Sequence, residues 1–207
     1  ILNKTISEIT KMNEKYKILL SDNTEIMSDL IIAGIGSAPN VGLFENTKLK
    51  IDNGIVTNEF CETNIKNVFA SGDVSNFYHP LYGKYMRLES YQHAQNHGIS
   101  AGKNISGIKT KYSSIPWMWS DQFNLNLQLT GICDDYDEIV ERGKNIDDGI
   151  IYFFLKNKNI KGACGLGIAG KVGRDIRITT KLTEKNTIVD SSILSDQSQK
   201  LNKLIQK

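Results

Sequence analysis

Chemistry is first suggested by one acidic side chain. In Val68-Phe69-Ala70-Ser71-Gly72-Asp73-Val74 a short apolar run ends in a glycine and then a carboxylate. Ligands of open α/β sheets gather beyond the carboxyl ends of strands, and glycine lets the backbone come close to them. A carboxylate so placed accepts a hydrogen bond from a sugar-alcohol hydroxyl; the competing reading is an Asp that caps a turn or helix. Trp119, inside Pro116-Trp117-Met118-Trp119-Ser120-Asp121-Gln122, offers a flat apolar face that excludes water from a ring laid against it, or else simply anchors packing. Glu89, at the head of a helical segment, is either an orienting group for a ligand or a solvated carboxylate favoured by the helix dipole.

Two patterns imitate sites. Gly165-Leu166-Gly167-Ile168-Ala169-Gly170 matches Gly-x-Gly-x-x-Gly. It follows a strand, precedes a helix, and has Asp190 about 20 residues on, as a dinucleotide site requires. Against it, the preceding strand pairs through a short hairpin at Lys156-Asn157-Lys158-Asn159, which implies an antiparallel sheet, and few residues remain after Asp190 for further parallel strands. His93 and His97 are spaced i, i+4, which permits a shared metal. Neither a Glu-x-x-His context nor a third ligand accompanies them, so they read as surface or structural histidines and no metal is expected. Three cysteines far apart, with no Cys-x-x-Cys, argue against a disulfide framework, a zinc site and a redox dithiol. They read as reduced buried or half-buried thiols, which suits a cytoplasmic protein.

The elements that must hold these groups fall into three stretches. Ile6–Ile9, Tyr16–Leu20 and Glu25–Met27 read as strands, the last two joined by a Ser21-Asp22-Asn23-Thr24 turn. Asp29 to Gly36 is a continuous apolar run ending in glycines, the pattern of a parallel strand buried on both faces, stopped by Pro39. The second stretch has an Asp52-Asn53-Gly54 hairpin turn, a short strand over Asn67–Asp73, and a helix from Glu89 to Ile105. The third, from Lys111, has a strand at Leu125–Leu129, a hairpin of Ile150–Leu155 with Ile160–Gly165, and helices near 169–182 and 195–205.

Composition narrows the class. The 207 residues are 40% hydrophobic and 23% charged, an ordinary globular balance. A net charge of +2 and the lack of any block of like charges exclude a nucleic-acid arm. No apolar run approaches the roughly 18 residues of a membrane span. The chain begins Ile1-Leu2-Asn3-Lys4, with neither an initiator Met nor a signal pattern, and so reads as a fragment.

Longer motifs supply a family. Thr63-Asn64-Ile65-Lys66-Asn67-Val68-Phe69-Ala70-Ser71-Gly72-Asp73 resembles the second FAD fingerprint of the pyridine-nucleotide oxidoreductases, Thr-x-x-x-x-aliphatic-aromatic-Ala-x-Gly-Asp. Gly34-Ile35-Gly36-Ser37-Ala38-Pro39-Asn40 resembles the end of the NAD-binding insertion. His79-Pro80-Leu81-Tyr82-Gly83, Arg87-Leu88-Glu89-Ser90 and Pro116–Gln122 are similar to the ferredoxin reductase branch, which serves dioxygenases and P450 systems and is related to apoptosis-inducing factor.

The resemblance implies an α/β fold, the remnant of NAD- and FAD-binding Rossmann-like domains, followed by an α+β reductase domain. Residues 1–39 would end the NAD-binding domain, 40–110 would be the C-terminal part of the FAD-binding domain, and 111–207 the C-terminal domain. Cofactor binding would fall to Gly34, Gly36, Pro39, Gly72, Asp73, Val74, Glu89, Ser90 and Trp119. Asp73 would bond the FAD ribityl chain, and the backbone near Val74 would face the pyrophosphate. Glu89 would bond the nicotinamide carboxamide, and Trp119 would border the flavin on the path of electrons out. The implied activity passes electrons from NAD(P)H through FAD to a small iron–sulfur protein of ferredoxin or rubredoxin type, with a homodimer possible.

The family's two N-terminal Gly-x-Gly-x-x-Gly loops lie outside this sequence, so the polypeptide alone is expected to bind FAD weakly or not at all. Two other classes stay open: a non-enzymatic dimerisation module that retains the C-terminal domain, and a disulfide reductase of the same superfamily, which the Trp-rich segment opposes.

Overall fold

The computed structural model describes residues 1–206. It forms two compact units, Ile1–Ala38 and Pro39–Lys207. The first is an antiparallel meander of β1 (Ile6–Met12), β2 (Lys15–Leu20) and β3 (Glu25–Ser28). Asn13 and Asn23 take positive φ at its two turns, a conformation asparagine tolerates better than most residues. The apolar run after β3 is not the buried strand its composition predicts. Residues 29–36 form no strand, and Leu30, Ile32 and Ile35 are 69%, 86% and 93% exposed. A parallel strand exists only through its neighbours' hydrogen bonds, and the unit contains only the antiparallel meander.

The second unit opens with the turn at Asp52–Gly54, where the Asp52 N–H donates to the Gly54 carbonyl at 2.9 Å. It leads into β4 (Ile55–Thr57), which pairs in parallel with β5 (Ser75–His79); β5 pairs antiparallel with β6 (Lys84–Met86). The strand expected over 67–73 is reduced to one bridge, Glu62 to Phe69. A 3-10 turn at Gly72–Val74 follows, and the true strand, β5, starts at Ser75. α1 (Tyr91–Ile105) begins at an N-cap on Ser90, whose hydroxyl accepts the His93 N–H.

The remainder builds a five-stranded antiparallel sheet from β7 (Trp117–Gln122), β8 (Leu125–Gly131), β9 (Glu138–Arg142), β10 (Ile150–Lys156) and β11 (Asn159–Ile168), in the order β7-β8-β11-β10-β9. α2 (Gly173–Glu184) covers β11 and β8, and α3 (Ser191–Ser195) lies on β9. A 3-10 helix, Leu201–Gln206, packs on α2. Burial alternates along β10, so Ile151, Phe153 and Leu155 all enter one core with Ile160, Ile176 and Leu194.

The long C-terminal helix expected at 195–205 is interrupted. The Asp196 carboxylate accepts the Ser198 N–H at 2.9 Å, a local bond that competes with helix continuation. The Gly-x-Gly-x-x-Gly run has a packing role. A Cβ on Gly165 would come within 3.0 Å of Val172 and 3.2 Å of Ile176, so its glycines let α2 close onto an antiparallel strand. Asp190 caps α3, accepting the Ser192 N–H. The three cysteines are free, Cys61 buried and the other two half-buried.

Candidate functional site

Gly72 holds the key conformation. Its φ of +75° is open to glycine and strained for residues bearing a Cβ. The turn it makes leaves Asp73 exposed, its carboxylate held by neither a hydrogen bond nor an ion pair among the described residues. The Asp73 carbonyl, by contrast, is tied down: it accepts from Arg87 Nη1 at 3.3 Å. The same guanidinium donates through Nε to Asn53 Oδ1 at 3.2 Å and pairs with Glu89 through Nη1. One mostly buried cation thus fastens the Asp52–Gly54 turn, the Asp73 turn and Glu89 together. The fit is tight, since a Cβ on Gly54 would sit 2.5 Å from the Val74 carbonyl oxygen and 3.1 Å from Arg87 Cδ.

From Glu89 the chain enters α1. Ser90 caps it, and its hydroxyl lies 3.5 Å from the Trp117 carbonyl, a long contact that joins the helix start to β7. Trp117 and Trp119 stack with ring centres 5.0 Å apart and planes 25° from parallel. Tyr91 meets Trp119 edge-on at 6.3 Å. Trp119 keeps 40% of its surface open. Leu88, Glu89, Ser90, Trp117, Met118 and Leu129 are among the residues lining a cleft of about 140 Å³. Val74, Gly72, Glu89, Ser90 and Trp119 are therefore linked by contact around the first turn of α1, and Asp73 projects beside them. Pro39 lies in the same unit; Gly34 and Gly36 belong to the first unit, and a Cβ on either would meet nothing within 4 Å.

Glu89 was expected inside the helix, but it precedes the cap and is gripped by Arg87. The two helix histidines are buried structural residues, not surface ones. The Gly72 N–H donates to His97 Nδ1 at 3.2 Å. His93 Nδ1 lies 2.9 Å from the Tyr112 hydroxyl. Burial pushes His93 down to about 4 and His97 down to about 3. His79, 3.1 Å from the Ser114 carbonyl, is lowered for the same reason. The Cys61 thiol is pushed up to about 12 by burial, which keeps it a protonated, unreactive group. Sequence reasoning gave Arg87, Gly54 and His97 no role here. For Arg87 the only signal was its place two residues before Glu89. For His97 it was the company of Ala94 and Ala101 on one helix face, which marks that face as inward.

An exposed carboxylate with unused acceptor capacity and an open indole face, both near the start of α1, suit a ligand that carries hydroxyls at one end and a flat ring at the other. Residues 1–98 match the family model described as pyridine nucleotide-disulphide oxidoreductase, and residues 117–205 match that described as reductase C-terminal. The ferredoxin–NAD(+) reductase component of an anthranilate 1,2-dioxygenase system from Burkholderia cepacia is 33% identical over 86% of this chain and 43% of its own length. Putidaredoxin reductase of Pseudomonas putida is 30% identical over 95% of this chain and 46% of its own. A crystal structure of a covalent putidaredoxin reductase–putidaredoxin complex superposes with a TM-score of 0.88 at 27% identity, covering 98% of this chain and 48% of that one. The chain spans about half the length of the relatives it matches. With both domain models in order along it, the chain belongs to the ferredoxin reductase branch of the pyridine nucleotide-disulphide oxidoreductases.

Proposed function

We propose that this chain supplies the polyol contact, the aromatic border and the C-terminal domain of a reductase that moves electrons from NAD(P)H through FAD to a small iron–sulfur protein. In this reading residues 1–39 close the NAD-binding domain, 40–110 belong to the FAD-binding domain and 111–207 form the reductase C-terminal domain. Bound FAD would supply the acceptance of a hydride and the release of its electrons one at a time, chemistry that belongs to the cofactor. The residues fit such a group. The Asp73 carboxylate is exposed with its hydrogen-bonding capacity unused, and the Trp119 face is open at the same helix start.

Asp73 accepts hydrogen bonds from the polyol hydroxyls, and the backbone at Gly72 and Val74 faces the pyrophosphate. Trp119 excludes water along the ring edge. Glu89, held by Arg87, orients the nicotinamide carboxamide, and Ser90 keeps the helix start directed at the ring. Gly34, Gly36 and Pro39 serve the nicotinamide dinucleotide. The relative joined covalently to putidaredoxin supports a partner of the ferredoxin kind, docking around Trp119 and the C-terminal domain. A homodimer and a cytoplasmic location complete the reading; among the described residues no helix is long and apolar enough to cross a membrane.

The observation that carries this reading is the exposed, unbonded carboxylate of Asp73 at the end of α1 where the indole of Trp119 also lies open. It is tested by titrating the isotope-labelled chain with FAD to millimolar concentration and mapping amide shifts. Binding is expected to be weak, with the largest shifts at Gly72, Asp73, Val74, Ser90 and the Trp119 indole. Shifts on an unrelated surface, or none, would refute it.

A further inference from the structure

All three histidines of the chain are buried in one place, and no role in the proposed reaction uses them. His93 and His97 lie one turn apart on α1 with ring centres 4.9 Å apart. Phe77 packs on both at 4.9 Å, and Tyr112 lies 5.5 Å from the first and 4.5 Å from the second. His79 completes the group from β5, 5.9 Å from Phe77. Buried imidazoles usually have both nitrogens satisfied, yet His93 Nε2 and His97 Nε2 find no hydrogen-bond partner here. Such a cluster is costly as mere filling, and one of its bonds reaches the candidate site.

That bond runs from the Gly72 N–H to His97 Nδ1. A nitrogen accepts only through its lone pair, so the ring must be neutral and carry its proton on Nε2. A protonated ring would set N–H against N–H. His93 Nδ1 meets the Tyr112 hydroxyl at 2.9 Å, a bond either group can donate. The Gly72 carbonyl and the Asp73 carboxylate act on His93 in the opposite sense to burial. His97 therefore holds the N–H of Gly72, the residue whose positive φ sets the turn that presents Asp73.

We propose that His97 is a positioning residue: as the neutral Nε2–H tautomer it fixes the Gly72 turn and so aims the Asp73 carboxylate, with His93 packed against it one helical turn back. Protonating the pair releases the turn. Burial holds both rings neutral far below neutral pH. The titratable groups facing them are His79 from β5, Tyr112 and Cys61 from the loops, and Asp73 from the turn itself. Of these Asp73 alone is charged at neutral pH. Its attraction for a proton on His93 offsets only part of the cost of burial. What this means for bound flavin rests on the proposed function; the geometry of the turn does not.

The test uses the isotope-labelled full chain without cofactor. Long-range proton–nitrogen correlation should show His97 with an acceptor-type Nδ1 and a protonated Nε2, unchanged down to about pH 5. His97→Leu should speed hydrogen exchange at the Gly72 amide roughly ten-fold relative to β10 amides, whereas His97→Gln, which offers an amide oxygen, should retain most of the protection. An Nδ1–H tautomer, an unchanged Gly72 rate in His97→Leu, or equal rates in the Leu and Gln variants would each overturn the proposal. Should His97→Leu fail to fold, the wild-type tautomer decides alone. FAD-induced shifts at Asp73 should fade in His97→Leu and persist in His97→Gln. Their absence in the wild type would count against the proposed function while leaving the tautomer result intact.

Discussion

Two cores stabilise the second unit, and they are built on opposite principles. The sheet of β7 to β11 with α2 and α3 encloses a wholly apolar cluster, Phe153, Leu155, Ile160, Ile176, Leu182 and Leu194 among its members. The region of β4 to β6 with α1 encloses Cys61, Phe77, Ala101 and Tyr112, with three histidines packed among them. The first gains from removing hydrocarbon from water, a term indifferent to pH. The second depends on polar groups staying neutral and bonded, since an unpaired or charged group there is expensive. The candidate site is attached to the second. A binding turn has to present backbone and carboxylate to a ligand, and only polar neighbours can hold such a turn in place.

The comparison breaks most sharply in the apolar core. Leu155 is fully buried on β10, and Leu155→Ala should cost about 3–4 kcal/mol in urea unfolding. The loss should be the same at pH 7 and pH 5, because no titrating group is involved. A step below lies Arg142, a buried cation of that half. It binds Asp175 at 3.1 Å and the carbonyls of Leu194, Asp196 and Gln199 at 3.0, 2.7 and 2.8 Å. Arg142→Met strands those carbonyls and should cost about 3 kcal/mol. Hydrogen exchange should report it as loosening of α3 and the final 3-10 helix, with β4 to β6 unaffected.

Acid should reverse the ranking of the two regions. An unfolded histidine takes up a proton near pH 6.5, but His93 and His97 resist until about 4 and 3. Between those limits the unfolded chain holds more protons, so stability is complete above about pH 6.5 and falls as pH drops. Each ring contributes about 1.4 kcal/mol per pH unit, or about 2 kcal/mol at pH 5. Protection of α1 and β5 amides relative to their intrinsic exchange rates should fall from pH 7 to pH 5 while that of β10 and β11 holds. His97→Gln, with nothing to protonate there, should flatten that slope; an equally steep slope in the variant would show that other groups carry it.

The same contrast decides what was legible in the sequence. The β10–β11 hairpin follows from local rules: alternating apolar residues around a turn in which Asn157 and Lys158 take positive φ. The α1 helix was foreseen to within two residues of its start, the true boundary being set by the Ser90 cap. The candidate site was legible as a motif and less so as geometry. Asp73 is delivered by a 3-10 turn ahead of β5, and Ser75-Asn76-Phe77-Tyr78-His79 does not read as a strand because its burial comes from a polar cluster. β9 was missed because Glu138-Ile139-Val140-Glu141-Arg142 has only two apolar residues, side by side, and lies at a sheet edge, and Arg142 was missed because its partners lie 33 to 57 residues away. The apolar run at 29–36 shows the converse: composition reads as a strand, but pairing requires a neighbour that local pattern cannot supply.

The smallest effects on stability should come from the residues proposed to matter most for function. Trp119 is 40% exposed and touches Trp117 and Tyr91, so Trp119→Ala should cost no more than about 1 kcal/mol. Asp73→Asn removes a charge that forms no ion pair and should stay within about 0.5 kcal/mol of wild type. If either residue were a structural anchor, its loss would approach that of Leu155→Ala. Near-neutral urea midpoints combined with loss of the FAD-induced shifts at Gly72–Val74 would separate the two roles. An exposed indole and an unpaired carboxylate add little to folding, which leaves the proposed ligand contacts as the role that this pair of measurements tests.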